Sequence, residues 1–196
     1  MPQSHGYLIA IEGIDGTGKS TLAEALGRAL ESRGRSVTLG FEPTRGPYGK
    51  KIRELAVSGR VSPAEESELF IADRKEHVEQ AINPALEAGR TVILDRYYFS
   101  TMAYQGARGL DPAQIRRANE AFAPSPDLLV ILELPVEEAL HRITAKRGST
   151  PDHFEGADYL AEVDRLFKSF THPNALRLDA RAPTERLVEA ILARIQ

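Results

Sequence analysis

The feature that most constrains this chain lies near its start, where residues 7–12 (YLIAIE) lead into GIDGTGKST and then into a helical pattern running from Lys19 to Arg33 and closing on Gly34. A short, near-continuous apolar run reads as a strand covered on both faces. Gly13, Gly16 and Gly18 let the following main chain turn its N–H groups inward, and the helix beginning near Lys19 adds the positive end of its dipole. Gly13, four residues, Gly18, Lys19 and Ser20 make the P-loop spacing, in the strand-to-helix setting its mechanism requires. The alternative is a glycine-rich turn carrying a surface lysine.

The rest of the chain repeats the alternation. Residues 36–41, 91–95, 128–134 and 175–179 are four- to seven-residue runs rich in Val, Ile and Leu, separated by helical patterns near 48–58, 64–88, 98–107, 112–122, 136–146, 155–170 and 184–195. Five such strands with helical crossovers predict an α/β fold, a doubly wound five-stranded parallel sheet flanked by helices, of the P-loop NTPase type. There is no internal repeat or linker to divide residues 1–196, so one domain is expected, with a short polar lid near 147–156.

Composition narrows the chemistry. A formal net charge of −3 offers no field to hold a polyanion, so nucleic acid is not an expected partner and phosphate must be held by local groups. No cysteine is present, which excludes disulfides and thiolate metal sites. The first apolar run is far shorter than the ~20 residues of a membrane span, so no membrane partner is expected and the default is a cytoplasmic protein.

The motif assigns roles. The loop residues Gly13, Ile14, Asp15, Gly16, Thr17, Gly18 and Thr21 surround the phosphates of ATP, Lys19 neutralises the β and γ groups, and the Ser20 hydroxyl ligates Mg²⁺. A carboxylate among phosphates is unfavourable, so Asp15 should face away from the triphosphate. It then meets either a hydroxyl of an acceptor or its own turn. Asp95 and Arg96 stand at the carboxyl end of the third apolar run, the edge where open α/β sheets bind ligands. Asp95 suits the orientation of water around Mg²⁺, or a helix cap; Arg96 offers a planar fork for an acceptor's phosphate, or a surface ion pair.

With these motifs the chain resembles the thymidylate kinase family over nearly its full length. EPTRGPYGKKIREL (42–55) is similar to that family's segment after the second strand, with Glu42 and Arg53 corresponding to its acceptor-side residues. LFIADR (69–74) is similar to the helix whose aromatic ring, here Phe70, stacks on thymine and whose arginine, here Arg74, reaches the base's carbonyl edge. STMAYQG (100–106) is similar to the helix supplying a polar contact, a ring beside the sugar and an amide to the base, here Thr101, Tyr104 and Gln105. The i, i+4 spacing of Phe70 with Arg74, and of Thr101 with Gln105, puts each pair on one helix face. Read alone, each of these also suits an ordinary core or surface position.

The resemblance implies transfer of the γ-phosphoryl group of ATP to thymidine monophosphate, with Mg²⁺, by a homodimer paired through side-by-side helices. Another nucleoside monophosphate as acceptor, or an ATP-binding switch module, remains the alternative. The chain departs from the family where Thr44, Arg45 and Gly46 follow Glu-Pro; Arg45 belongs either at the acceptor phosphate or in solvent. It departs again at Asp152, His153, Phe154 and Glu155, where an arginine is replaced by a mostly neutral group. Because the loop itself carries no arginine, a lid cation is expected over the transferring group. Arg147 is assigned there, with Arg142 on the ATP side; both also suit the dipole at a helix C-terminus.

Overall fold

The structure is a computed structural model that describes residues 6–59, 61–147 and 156–195. Most of the expected lid, 147–156, including His153, therefore lies outside the described residues, and Arg147 is described only as the last residue of its helix.

In chain order the elements are β1 (Tyr7–Glu12), α1 (Lys19–Glu31), β2 (Val37–Phe41), α2 (Pro47–Ser58), α3 (Pro63–His77), α4 (Asn83–Glu87), β3 (Thr91–Asp95), α5 (Tyr98–Gly106), α6 (Pro112–Glu120), β4 (Leu128–Glu133), α7 (Val136–Arg147), α8 (Ala157–Ser169), β5 (Ala175–Asp179) and α9 (Thr184–Leu192). The strands form one five-stranded sheet in the order β2-β3-β1-β4-β5. Every pairing is parallel, with Ile11 beside Asp95 where β1 meets β3 and Glu133 beside Asp179 where β4 meets β5. The architecture is the α/β arrangement expected: a parallel sheet flanked by helices.

The three inner strands are nearly devoid of solvent contact, which is why their sequences are continuous apolar runs and not alternating ones. The edge strand β2 differs. Leu39 and Phe41 are 50% and 41% exposed, because an outer strand has a neighbour on one side only. From β1 the chain winds to one side through β2 and β3, then to the other through β4 and β5. The carboxyl end of β1 is thus the place where winding reverses and where open sheets leave a crevice.

One element departs from the expected outline. The helical pattern over 64–88 is continuous from Pro63 to Glu87 but not uniform, with a wider turn at Val78–Ile82 between α3 and α4, where the amide of Asn83 donates to the carbonyl of Val78, five residues back. Pro84 supplies the reason. It lacks an N–H and its ring crowds the carbonyl of residue 80, and a widened turn relieves both. At the other end, α3 is capped by Ser62 and Glu65, each side chain bonding the other's backbone N–H.

Candidate active site

The loop after β1 shows why glycine is required there. Gly13 lies at φ 138° and a Cβ on it would stand 2.5 Å from the carbonyl oxygen of Leu132; at Gly16, φ 83°, a Cβ would stand 2.6 Å from that of Ala139. Neither position tolerates a side chain. Thr17 Oγ1 donates to the carbonyl of Ile14 at 2.8 Å, bracing the turn. Gly18 stands at the N-cap of α1 with no side chain to satisfy the helix's first N–H groups, which is the arrangement that receives an anion. Lys19 is 6% exposed, and its Nζ donates to the carbonyls of Gly13 and Ile14 at 3.0 and 2.8 Å. Burial, and next the neighbouring Arg96, lower its pKa to about 8, against the opposing pull of Asp15, Asp95 and Glu12.

Two cavities open at this edge. The larger, about 580 Å³, is lined by the loop and the start of α1, by Asp95 and Arg96, and by Arg142 and Ile143 of α7. Arg142 donates from Nη1 to the carbonyl of Ala180 at 3.1 Å, which ties this wall to the turn after β5. The smaller, about 150 Å³, is walled mainly by apolar surface, including Pro43, Ile52, Ala56 and Phe70, with Arg53, Thr101, Tyr104 and Gln105 around it. Asp15 and Arg96 line both.

That shared wall is a compact polar cluster. Arg96 Nη2 donates to Asp15 Oδ1, its Nη1 donates to Ser100 Oγ at 3.1 Å, and its guanidinium carbon lies 5.2 Å from the centre of the Tyr104 ring. The Tyr104 hydroxyl donates to Asp15 Oδ2 at 3.0 Å. Arg96 adopts φ 70°, a left-handed conformation costly for a residue with a Cβ, and its amide donates to the carbonyl of Ile11 at 3.0 Å. The carboxylate of the phosphate loop therefore faces the smaller cavity's polar rim as well as the larger one.

Beside it, Ser20 Oγ donates to Asp95 Oδ2, while Asp95 Oδ1 is buried with no partner among the described residues. A hydroxyl next to an incompletely satisfied carboxylate fits a hard cation with oxygen ligands. Among the described residues no group of three or more His, Cys, Asp or Glu is placed to hold a metal ion, so a cation beside Ser20 and Asp95 would need further oxygen ligands from phosphate and water.

Several expected site residues stand elsewhere. Arg74 is 1% exposed and does not line the smaller cavity; it runs behind that wall, donating to Glu42 Oε2 at 2.8 Å, Asn119 Oδ1 at 2.6 Å and Thr101 Oγ1 at 3.1 Å. Its Nε, Nη1 and Nη2 are each engaged by protein, which holds the guanidinium behind the cavity wall and not in its lining. Glu42 is likewise buried, between Arg74 and His77 Nδ1 at 3.0 Å. Arg45 is exposed and lies over the Phe41 ring, 5.5 Å from its centre, lining neither cavity. Arg53 lies at the smaller cavity, its Nη1 donating to the carbonyl of Pro43 at 2.9 Å.

Buried polar groups that the sequence does not single out include Glu12, Glu66 and Asn119. Glu12 is fully buried, accepting from the amides of Tyr97 and Ser100 at 2.8 and 3.1 Å and from Ser100 Oγ at 2.6 Å. Burial raises its pKa to about 7, opposed by those hydrogen bonds and by Arg96. Its signal was an acid closing an otherwise apolar strand.

The thymidylate kinase family profile matches residues 11–191. The chain belongs to this family. It is 45% identical to a thymidylate kinase of Desulfotalea psychrophila, over all of this chain and 97% of the relative. Identity to one from Akkermansia muciniphila is 51%, over 95% of this chain and 89% of the relative. With one from Xanthomonas campestris pv. campestris it is 48%, over 93% and 80%. Thymidylate kinases are nucleoside monophosphate kinases, and the pair of adjoining cavities is the arrangement such a reaction needs.

Proposed function

We propose that this chain transfers the γ-phosphoryl group of ATP to thymidine 5′-monophosphate, releasing ADP and thymidine diphosphate. The observation that carries this reading is the pair of cavities meeting at Asp15 and Arg96, one walled by the phosphate loop and the other largely apolar. The triphosphate lies along the loop amides and Lys19, with Arg142 toward the nucleoside of ATP. The acceptor lies in the apolar cavity, with Phe70 against the base, Thr101 and Gln105 at its edge, and Tyr104 and Asp15 toward the sugar.

Phosphoryl transfer depends chiefly on positioning and charge compensation. Arg96 and Arg53 are assigned to the acceptor phosphate, and Arg147, at the end of α7, to the moving group. An oxygen of the acceptor phosphate forms the new bond to the γ-phosphorus as the bond to the β–γ bridging oxygen breaks. That nucleophile is anionic at neutral pH, so no side chain has to act as a base. Ser20 and Asp95 are the residues that would hold Mg²⁺, which would supply charge neutralisation to the triphosphate.

An assay of ADP release with thymidine, deoxyuridine, deoxycytidine and deoxyguanosine monophosphates tests the reading. The highest kcat/KM is expected for the thymidine nucleotide; better turnover of another acceptor, or ATP hydrolysis indifferent to all of them, overturns it. The same reading has the enzyme act as a homodimer through side-by-side helices, in keeping with the exposed Tyr48 on α2 and the partly exposed Leu69 on α3. Sedimentation at the monomer mass would refute that part.

A further inference from the structure

Gln105 is 0% exposed and lines the apolar cavity from α5. Its Nε2 donates to Glu66 Oε2 on α3 at 2.9 Å, whereas its Oε1 is buried with no partner among the described residues. Glu66 is itself only 2% exposed, and the same oxygen accepts from Arg108 Nη1 at 2.7 Å. Arg108 is anchored in turn, donating from Nη2 to the carbonyl of Val61 at 2.8 Å just ahead of α3.

The two ends of an amide differ only in chemistry, and here the chemistry decides which is which. A carboxylate bound by a guanidinium accepts hydrogen bonds and cannot donate, so only the NH₂ end of Gln105 can face Glu66. The carbonyl is the end left for a ligand. A buried acceptor favours a partner that brings an N–H and penalises one that brings a second lone pair, since neither oxygen nor lone pair then finds a proton. Thymine and uracil carry a proton on ring nitrogen N3. Cytosine carries a lone pair there.

We propose that Glu66, clamped by Arg108, is a positioning residue for base specificity: it locks the Gln105 amide with its carbonyl toward the cavity, so the site accepts pyrimidines that donate from N3 and rejects those that accept there. This rests on the reading of the apolar cavity as the site of the acceptor base. It also separates two decisions. Glu66 governs thymine and uracil against cytosine, while the 5-methyl group, which it cannot sense, must be read by other walls.

The test is kcat/KM for the thymidine, deoxyuridine and deoxycytidine monophosphates, on the wild type and on Glu66→Ala. With the carboxylate gone the amide is free to turn over. The preference for the thymidine over the deoxycytidine nucleotide is expected to fall about tenfold or more, carried by KM and not by kcat. The preference for thymidine over deoxyuridine should stay within about twofold, because both bases donate from N3. A wild type inactive on the thymidine nucleotide overturns the proposed function and this inference together. A wild type that is active, with a variant whose thymidine-to-deoxycytidine ratio is unmoved or whose three rates fall in proportion, overturns this inference alone. Should Glu66→Ala fail to fold, calorimetry on the wild type reads the same contact. The N3-methyl derivative of thymidine 5′-monophosphate is expected to bind at least about tenfold more weakly than the parent, and equal affinities overturn the inference.

Discussion

Arg96 and Asp15 are joined by an ion pair on the wall that the two cavities share, Arg96 reaching back from the end of β3 to the phosphate loop after β1. The strained backbone of Arg96, at φ 70°, is held by its amide bond to Ile11 and by the side-chain bonds to Asp15 and Ser100. Its guanidinium is thereby aimed before any substrate arrives, which is how a site limits the ordering that binding would otherwise demand.

Replacing that fork with a point charge should therefore cost more than the loss of one hydrogen bond. Arg96→Lys is expected to lower kcat/KM for the acceptor on the order of 100-fold, while KM for ATP stays within about threefold. Steady-state kinetics with each substrate varied separately checks this.

Arg74 is a different kind of arginine. Removing it leaves Glu42, 5% exposed, without its guanidinium, and a buried charge stripped of its partner costs about 3–5 kcal/mol. Arg74→Ala is expected to show that loss in denaturant unfolding. Phe70→Ala, at a partly exposed ring, should cost under about 2 kcal/mol and act mainly on acceptor KM.

Lys19 gives the reaction a pH limit. With its pKa near 8, the free enzyme loses the charge that meets the triphosphate as pH rises through that value. Bound phosphate favours the charged form, so kcat/KM for ATP should fall at lower pH than kcat does. Its stability effect has the opposite sense. The unfolded chain holds more protons between about 8 and 10.5, so this group's contribution to folding improves as pH rises across that window.

Glu12 acts at the acid side. Its folded pKa of about 7 exceeds the ordinary 4.5, so the folded state holds the extra proton and stability is lost as pH rises between those values. The isosteric Glu12→Gln removes this titration. Melting temperatures at about pH 5 and about pH 8 should converge in the variant relative to the wild type; an unchanged difference refutes the assignment.

For the cation, chelation with EDTA is expected to abolish turnover. Ser20→Ala and Asp95→Asn should each raise the Mg²⁺ concentration for half-maximal rate by about tenfold or more, read from Mg²⁺ titrations of the steady-state rate.

How much of this was legible in the chain follows from distance along it. The phosphate loop was fully readable, since Gly13 through Ser20 are consecutive and their backbone angles are a local matter. The inner strands were readable because burial on both faces leaves only apolar residues. The widened turn before Pro84 was carried by the sequence too, in a residue that cannot continue an ordinary helix, yet the long helical pattern around it masked it. Spacing put Phe70 and Arg74 on one helix face correctly in principle, but not what that face would meet.

Arg74 found Glu42, 32 residues before it, and Asn119, 45 residues after it. Glu66 found Gln105 at a separation of 39, and Glu12 found Ser100 at 88. Local backbone preferences are set by sterics among neighbouring residues, so the sequence by itself determined the strands, the loop and the phosphate chemistry. Which buried polar groups pair, and hence which arginine faces the cavity and which end of an amide does, depends on several elements arriving together, and only the tertiary structure decided it.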